Sequence, residues 1–327
     1  MSKAVYVTGC LGFIGYHITK KCLDNGWYVY GIDKETYASN KQFLPELQNY
    51  PKFKYLKKDI NDLDRLADCD YVINTAAETH VDNSIVSSNS FLKSNINGVH
   101  KLLQLIQEKK QKPILLHFST DEVYGDITKG AFNESTLLKP SNPYSATKAA
   151  ADMLILAWAR TFNIPYLIVR PTNNYGVGQY VEKLIPKAVK YLSLGRKIIL
   201  HDKGLPWRTW LHVSDTVSAV MTIIESKNVN EIYNISGNCE YQNITVAKKI
   251  IGFFDTPTDN ISDYIDGSDK RLGQDVRYSV DDKKLKNIDW LPLADFDQEI
   301  KIFNSNKGRG IMACFGDSNL YLNLMII

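Results

Sequence analysis

Ala4-Val5-Tyr6-Val7-Thr8-Gly9-Cys10-Leu11-Gly12-Phe13-Ile14-Gly15 begins with a short apolar run, passes through three evenly spaced glycines and ends in the start of an amphipathic stretch. The run reads as a core strand, and residues 13–25 read as a helix that ends at Gly26. Between them, Gly9, Gly12 and Gly15 allow a tight turn and a close backbone approach to a pyrophosphate. The helix N-terminus, entered through Phe13 and Ile14, offers amide hydrogens and a partial positive charge to that anion. Glycines are common in turns; it is the order strand, loop, helix that makes this a dinucleotide-binding unit.

Outward from this unit, short apolar runs at 28–32, 54–56, 71–75, 114–118 and 166–169 alternate with longer amphipathic stretches. Helices are expected at 89–109, capped by Asn89, and at 144–162, just after Pro143. Such alternation gives an α/β fold, a Rossmann-type doubly wound parallel sheet whose ligands bind beyond the carboxyl ends of its strands. The alternation weakens from about residue 171. Helices are expected at 181–194 and 245–254, a strand end and helix at 209–224, and a short strand at 232–235. Residues 1–170, with 209–236 returning to them, are assigned to the cofactor domain. Residues 171–208 and 237–302 form a smaller C-terminal substrate-binding lobe, and 303–327 a divergent tail.

Composition excludes several classes. The chain has 327 residues, with 44% hydrophobic and 23% charged residues and a net charge of +3. These are the proportions of a soluble globular protein without a nucleic-acid or membrane-surface footprint. Five cysteines without Cys-x-x-Cys spacing indicate neither a disulfide frame nor a zinc site, and fit a reducing, cytoplasmic compartment. No export signal or membrane span is visible. His80, His117, His201 and His212 do not fall at ligand spacing, so no metal is expected, and His117 reads as a packed strand residue.

The chemistry sits at strand ends. Asp33 closes the second strand, where a carboxylate can bond both ribose hydroxyls and repel an added phosphate, which selects NAD over NADP. Asp59 and Ile60 follow the third strand and Ala76 and Ala77 the fourth, placed to border the adenine and the cofactor backbone; they serve equally as turn and packing residues. Tyr144 and Lys148, four apart on a helix, share a face. A nearby ammonium would bring the phenol toward the working range and make Tyr144 a general base for a sugar hydroxyl. Thr120, Asp121 and Glu122 end the fifth strand. Thr120 can bond the oxygen that Tyr144 deprotonates. Elimination of water beside a new ketone needs an acid and a base in addition, and two crowded carboxyls tend to separate in pKa to supply both.

With Thr8–Gly15, Ala76–Ser84, Ser119–Gly125 and Asn142–Lys148 in hand, the chain resembles the extended short-chain dehydrogenase/reductases, and among them the nucleotide-sugar 4,6-dehydratases. Asn173–Gly176, Glu182–Pro186 and Asp275–Tyr278 also look like the family. The resemblance implies Tyr144 as base at the sugar 4-hydroxyl, Lys148 as its partner and a ribose ligand, Asp121 as acid for the departing 6-hydroxyl and Glu122 as base at carbon 5. It also implies bound NAD that is regenerated in each turnover, and Glu78, Asn174, Lys183, Arg208 and Arg277 as sugar or diphosphate ligands. A homodimer through helices 89–109 and 144–162 is implied as well.

Arg208-Thr209-Trp210-Leu211-His212, where dTDP-glucose enzymes usually read Arg-Asp-Trp-Leu, and Val169–Asn174 look more like relatives acting on UDP-N-acetylglucosamine. That donor is therefore the first expectation, with 5-epimerisation as a mechanistic extension. UDP-glucose or dTDP-glucose dehydration, a UDP-sugar 4-epimerase and a non-catalytic NAD-sensing module are the alternatives. The 4-epimerase has no use for Asp121 and Glu122, and in the silent module the Tyr/Lys pair would have decayed.

Overall fold

The structure, a computed structural model, describes residues 2–254 and 260–305. Its strands are β1 (Ala4–Thr8), β2 (Tyr28–Asp33), β3 (Phe53–Lys57), β4 (Tyr71–Asn74), β5 (Ile114–Phe118), β6 (Tyr166–Pro171), β7 (Asn173–Tyr175), β8 (Ile198–Ile199), β9 (Trp207–His212), β10 (Glu231–Ile235), β11 (Cys239–Gln242) and β12 (Ile265–Asp266). Its helices are α1 (Phe13–Asp24), α2 (Leu44–Gln48), α3 (Val81–Val86), α4 (Asn89–Phe91), α5 (Gly98–Gln107), α6 (Pro143–Phe162), α7 (Leu184–Ser193), α8 (Val213–Glu225), α9 (Asn243–Ile251), α10 (Lys283–Lys286) and α11 (Phe296–Ser305).

Seven parallel strands form the central sheet in the order β10-β6-β5-β4-β1-β2-β3. The chain runs from β1 outward to β3, then returns to the other side of β1 at β4. That reversal opens a crevice beyond the carboxyl ends of β1 and β4, where an open α/β sheet binds its ligands. Both faces are apolar and covered. Val5, Val7, Ile73, Leu116 and Val169 face α1 and α8, whereas Tyr6, Val72, Leu115 and Ile168 face α5 and α6. The fold is the expected doubly wound α/β sheet.

A second, three-stranded sheet, β11-β9-β7, and a small pair, β12-β8, carry much of the remaining chain. Residues 209–212 belong to that second sheet, while β10 completes the edge of the central one. The short strand Asn173–Tyr175 follows β6 almost at once. It is too brief, and too polar at its first two positions, to carry a strand signal of its own.

Two local features differ from expectation. The helix over 89–109 already includes Asn89, with Ser88 at the N-cap position and no side-chain cap bond, and is interrupted by a π-helical turn at Leu92–Asn97. That extra residue per turn aims Asn95 inward, where it accepts from the Glu78 N–H at 2.9 Å and donates to the Glu78 carbonyl at 3.0 Å and to Thr147 Oγ1 at 2.9 Å. The helix that carries Tyr144 starts one residue earlier, at Pro143. Asn142 and Ser145 form a reciprocal capping box there, and Pro143 occupies the first turn, where its missing N–H costs nothing.

Mid-way along α6, Asp152 is fully buried and accepts from Arg170 Nε at 3.0 Å and from Ser119 Oγ at 3.0 Å. This pair ties α6 to β5 and β6. Among the described residues no helix is long and apolar enough to cross a membrane. The tail assignment, 303–327, lies almost wholly outside the described residues. Arg170→Met should destabilise the fold by about 3–5 kcal/mol, because it strands a buried carboxylate without its partner. Denaturant melts of both proteins measure this directly.

Candidate active site

One cavity runs along the crevice. Gly9, Gly12, Phe13, Ile14, Gly15, Asp33, Asp59, Ile60, Ala76 and Ala77 line one end, and Glu78, Thr120, Asp121, Glu122, Tyr144, Asn174 and Lys183 the other. Eleven of the twelve positions expected for the cofactor line this cavity, all but Lys148, as do three of the five substrate candidates, Glu78, Asn174 and Lys183.

The glycine loop is built for close approach. Gly9 has φ +69°, and a Cβ on it would stand 2.8 Å from Ala76 Cα. A Cβ on Gly15 would stand 2.0 Å from the Gly9 carbonyl oxygen. The bare backbone therefore lets the loop close on itself and on the turn after β4 at the N-terminus of α1, an end that favours an anion. Asp33 is held by three protein donors: Leu11 N–H at 3.0 Å on Oδ2, and Glu35 N–H at 2.7 Å and Ser39 Oγ at 2.9 Å on Oδ1. A carboxylate has about four lone-pair sites, so these three donors leave Asp33 part of its acceptor capacity.

Sequence reasoning missed Lys34, which also lines the cavity and reaches Ser94 Oγ at 2.8 Å and Glu78 at 3.6 Å. Its position directly after Asp33, at the mouth of a crevice strand, was the available signal. Glu182, which accepts from the Tyr37 hydroxyl at 3.0 Å, was missed likewise.

At the catalytic end, the turn after β5 buries Thr120 and Asp121. Thr120 Oγ1 donates to Asp121 Oδ1 at 3.2 Å and accepts from the Glu122 N–H at 3.3 Å, and its side chain also hydrogen-bonds Tyr144. Asp121 Oδ2 is buried with no protein partner, an acceptor or acid aimed at whatever enters the cavity. Burial, reinforced by the neighbouring Glu122 charge, pushes Asp121 up to about 7. Burial raises Glu122 too, and Arg208 and Lys183 oppose the shift. Near neutrality this holds a proton on Asp121 for part of the population, the division of labour that crowding implies.

Tyr144 departs from expectation. Burial first, then the Glu122 charge, raise its pKa rather than lower it. Lys148 lies beneath the cavity floor, where it donates to the Phe118 carbonyl at 2.5 Å and faces His117 Nε2 at 3.4 Å. Burial brings that amine down to about 8. In the protein alone, therefore, desolvation outweighs the expected ammonium effect.

Arg208 and Arg277 do not line the cavity. Arg208 lies over the Tyr278 ring at 4.3 Å and donates to the carbonyls of Trp207 and Asp275, acting on Asp121 and Glu122 only through its charge. Arg277 is turned to Glu240 on β11 at 2.6 Å and to the Gly130 carbonyl at 2.9 Å. The bridge between Arg277 and Trp207 fixes that direction. Arg271 was not anticipated. It pairs with Asp82 of α3 through Nε at 2.5 Å and Nη2 at 2.9 Å, joining residues of the C-terminal half to the cofactor domain.

A crevice with a glycine loop, a Tyr/Lys helix and a Thr-Asp-Glu turn defines an extended short-chain dehydrogenase/reductase of the nucleotide-sugar 4,6-dehydratase type. The family model described as GDP-mannose 4,6 dehydratase matches residues 6–303, and the chain belongs to that family. It is 36% identical to the dTDP-glucose 4,6-dehydratase of Haemophilus influenzae, over 92% of this chain and 98% of that one. It is 34% identical, over 91% of its own length, to 46% of an Arabidopsis thaliana protein named trifunctional UDP-glucose 4,6-dehydratase, 3,5-epimerase and reductase. A double mutant of a Streptomyces venezuelae dTDP-glucose 4,6-dehydratase, solved with NAD bound, superposes with a TM-score of 0.88 at 30% identity, over 98% of this chain and 99% of that one.

Gly15→Ala should abolish dinucleotide binding while leaving a folded protein, because the added methyl and the Gly9 carbonyl cannot share one place. Titration calorimetry with NAD, beside a melting curve, reads both.

Proposed function

We propose that this chain is an NAD-dependent hydro-lyase that converts a nucleoside-diphosphate hexose of gluco configuration to its 4-keto-6-deoxy product. The observation that carries the reading is the pairing of buried Asp121 with half-buried Glu122 at the end of β5, in one cavity with Tyr144. A 4-epimerase would leave two desolvated carboxyls without work.

The glycine loop and α1 would hold the pyrophosphate of NAD, Asp33 a ribose hydroxyl, and Ala76 and Ala77 the backbone alongside. Bound NAD supplies the hydride acceptor for carbon 4 and the donor for carbon 6. The chain's own groups move the protons. Tyr144, with Thr120 on the same oxygen, would take the 4-hydroxyl proton when the positive charge of bound NAD offsets the burial that raises the phenol in the protein alone. Glu122 removes the proton that the 4-ketone has acidified at carbon 5. Asp121, in its acid form, protonates the 6-hydroxyl as it leaves as water. Glu122 then returns a proton to carbon 5. Return to the opposite face would invert that centre, which needs no further residue. Glu78, Asn174 and Lys183 are read as sugar and diphosphate contacts.

Relatives named for dTDP-glucose and UDP-glucose support a donor with a free 2-hydroxyl. The run Arg208–His212 supports UDP-N-acetylglucosamine. Purified protein, given each of the three donors without added NAD, should form a product lighter by one water from one of them. No loss from any donor overturns the proposal, and the proton spectrum of the product reads the configuration at carbon 5. A second copy of the chain is read as covering Leu92 and Met153, which stand 44% and 48% exposed beside α5 and α6; a light-scattering mass of one chain overturns that.

Asp121→Asn should lower kcat by roughly 10²- to 10⁴-fold, the span of a lost general acid. In heavy water the wild type should place deuterium at carbon 5, and Glu122→Gln should not. The pH profile follows from the shifts: kcat/KM should fall above about pH 7 as Asp121 loses its proton, and on the acid side as Glu122, its pKa raised, becomes protonated.

A further inference from the structure

His117 is the one imidazole buried behind the catalytic helix, and the reaction above makes no use of it. It sits on β5 at 0% exposure, with Nδ1 3.0 Å from Asn74 Nδ2 and Nε2 3.4 Å from Lys148 Nζ. Asn74 Oδ1 is 2.6 Å from the hydroxyl of Thr8, at the end of β1. This short chain decides a tautomer. If the Asn74 amide were reversed, the Thr8 hydroxyl hydrogen would lose the acceptor it has in this fully buried position. With Thr8 donating to Oδ1, Asn74 Nδ2 donates to His117 Nδ1, and the ring proton must sit on Nε2. An N–H, and not a lone pair, then faces Lys148.

We propose that His117 is a positioning residue for Lys148: held as the Nε2–H tautomer by Thr8 and Asn74, it denies the ammonium an acceptor and favours the neutral amine. Charged neighbours from each packed element do not cancel this. Asp152, on the same helix as Lys148, is the counter-charge, but its Oδ2 is already taken by Arg170 of β6, and Oδ1 is 4.0 Å from His117 Nε2 without a partner. Asn74 of β4 and Thr8 of β1 carry no charge. Burial, together with the charges of Lys148 and Arg170, lowers the His117 pKa well below its ordinary value, so the ring stays neutral. Burial already brings the amine four residues from Tyr144 down to about 8, against the opposing charge of Asp152, so the choice of tautomer at His117 acts on a group that changes charge within the working range.

The consequence for catalysis rests on the dehydratase reading; the tautomer and the titration of Lys148 do not. Both can be read by NMR on the whole protein with 13C-labelled lysine, Lys148 Cε being assigned by its loss in Lys148→Arg. Long-range proton–nitrogen correlation should show His117 with a bare Nδ1 and a protonated Nε2. Thr8→Val is isosteric and three contacts from Lys148, through Asn74 and His117. It frees the Asn74 amide to rotate, turns a His117 lone pair toward the ammonium, and should raise the Lys148 midpoint by about one pH unit. Asn74→Leu, which frees Nδ1 altogether, should act in the same direction. A bare Nε2 in the wild type, or a midpoint unmoved in both variants, overturns the proposal. Shifted midpoints in a protein that dehydrates no donor would uphold it and overturn the functional reading instead.

Discussion

A carboxylate cannot stay ionised in an apolar core without a partner, and Asp152 meets that constraint through Arg170. Removing either group from water costs several kcal/mol, which their mutual attraction offsets only in good geometry. The two guanidinium bonds, at 3.0 and 2.9 Å, and the Ser119 hydroxyl supply that geometry. One pair thereby fixes the position of α6 against β5 and β6. Two turns toward its N-terminus, about 12 Å at 1.5 Å per residue, the same helix presents Tyr144 to the end of β5. The Thr-Asp-Glu turn follows that strand, which the Ser119 hydroxyl ties to Asp152, so the turn and Tyr144 are held against each other through one buried carboxylate. The capping box at Asn142 sets the start of the helix, and with it the height of Tyr144 above the sheet.

The same exclusion of water that makes Asp152 costly gives the site its chemistry. Desolvation works against every charged form, so it raises Asp121, Glu122 and Tyr144 and lowers Lys148 and His117 together. The outcomes differ because the neighbours differ. Asp121 has Glu122 beside it and is pushed further; Glu122 is drawn back by Arg208 and Lys183. Arg208 is useful here without touching the cavity, since a buried guanidinium acts across several ångströms where little water screens it. Its place over Tyr278 keeps that charge near the carboxyls and out of their way.

What could be read from the chain was what local order encodes. The glycine loop, the strand ends and the Tyr144/Lys148 spacing follow from periodicity and chain direction, and each falls where the sequence put it. Direction of a long side chain is a different matter. Arg277 and Lys148 each have several possible partners, and the choice is made by residues distant in sequence: Glu240 on β11 for one, Phe118 and His117 on β5 for the other. The donors that hold Asp33 were unreadable for a related reason, because Leu11 and Ser39 reach it from loops whose packing the sequence does not display. The π-helical turn at Leu92–Asn97 is likewise invisible in a pattern that otherwise reads as one continuous helix. Its role in holding Glu78 emerges only once Asn95 is seen turned inward.

Those gaps explain why the reaction class is easier to read than the donor. Proton transfer at carbons 4, 5 and 6 requires groups at the ends of β5 and on α6, and these are set by short-range order within a rigid sheet. Asn174 and Lys183, which line the far end of the cavity, come from the second half of the chain, which is joined to the first by contacts such as Arg271 with Asp82. A sheet of parallel strands can keep its catalytic ends in place while loops beyond it vary, since loop changes leave the strand register untouched. Conserved reaction geometry is therefore compatible with a change of donor, and the catalytic residues alone do not decide between a 2-hydroxyl and a 2-acetamido sugar.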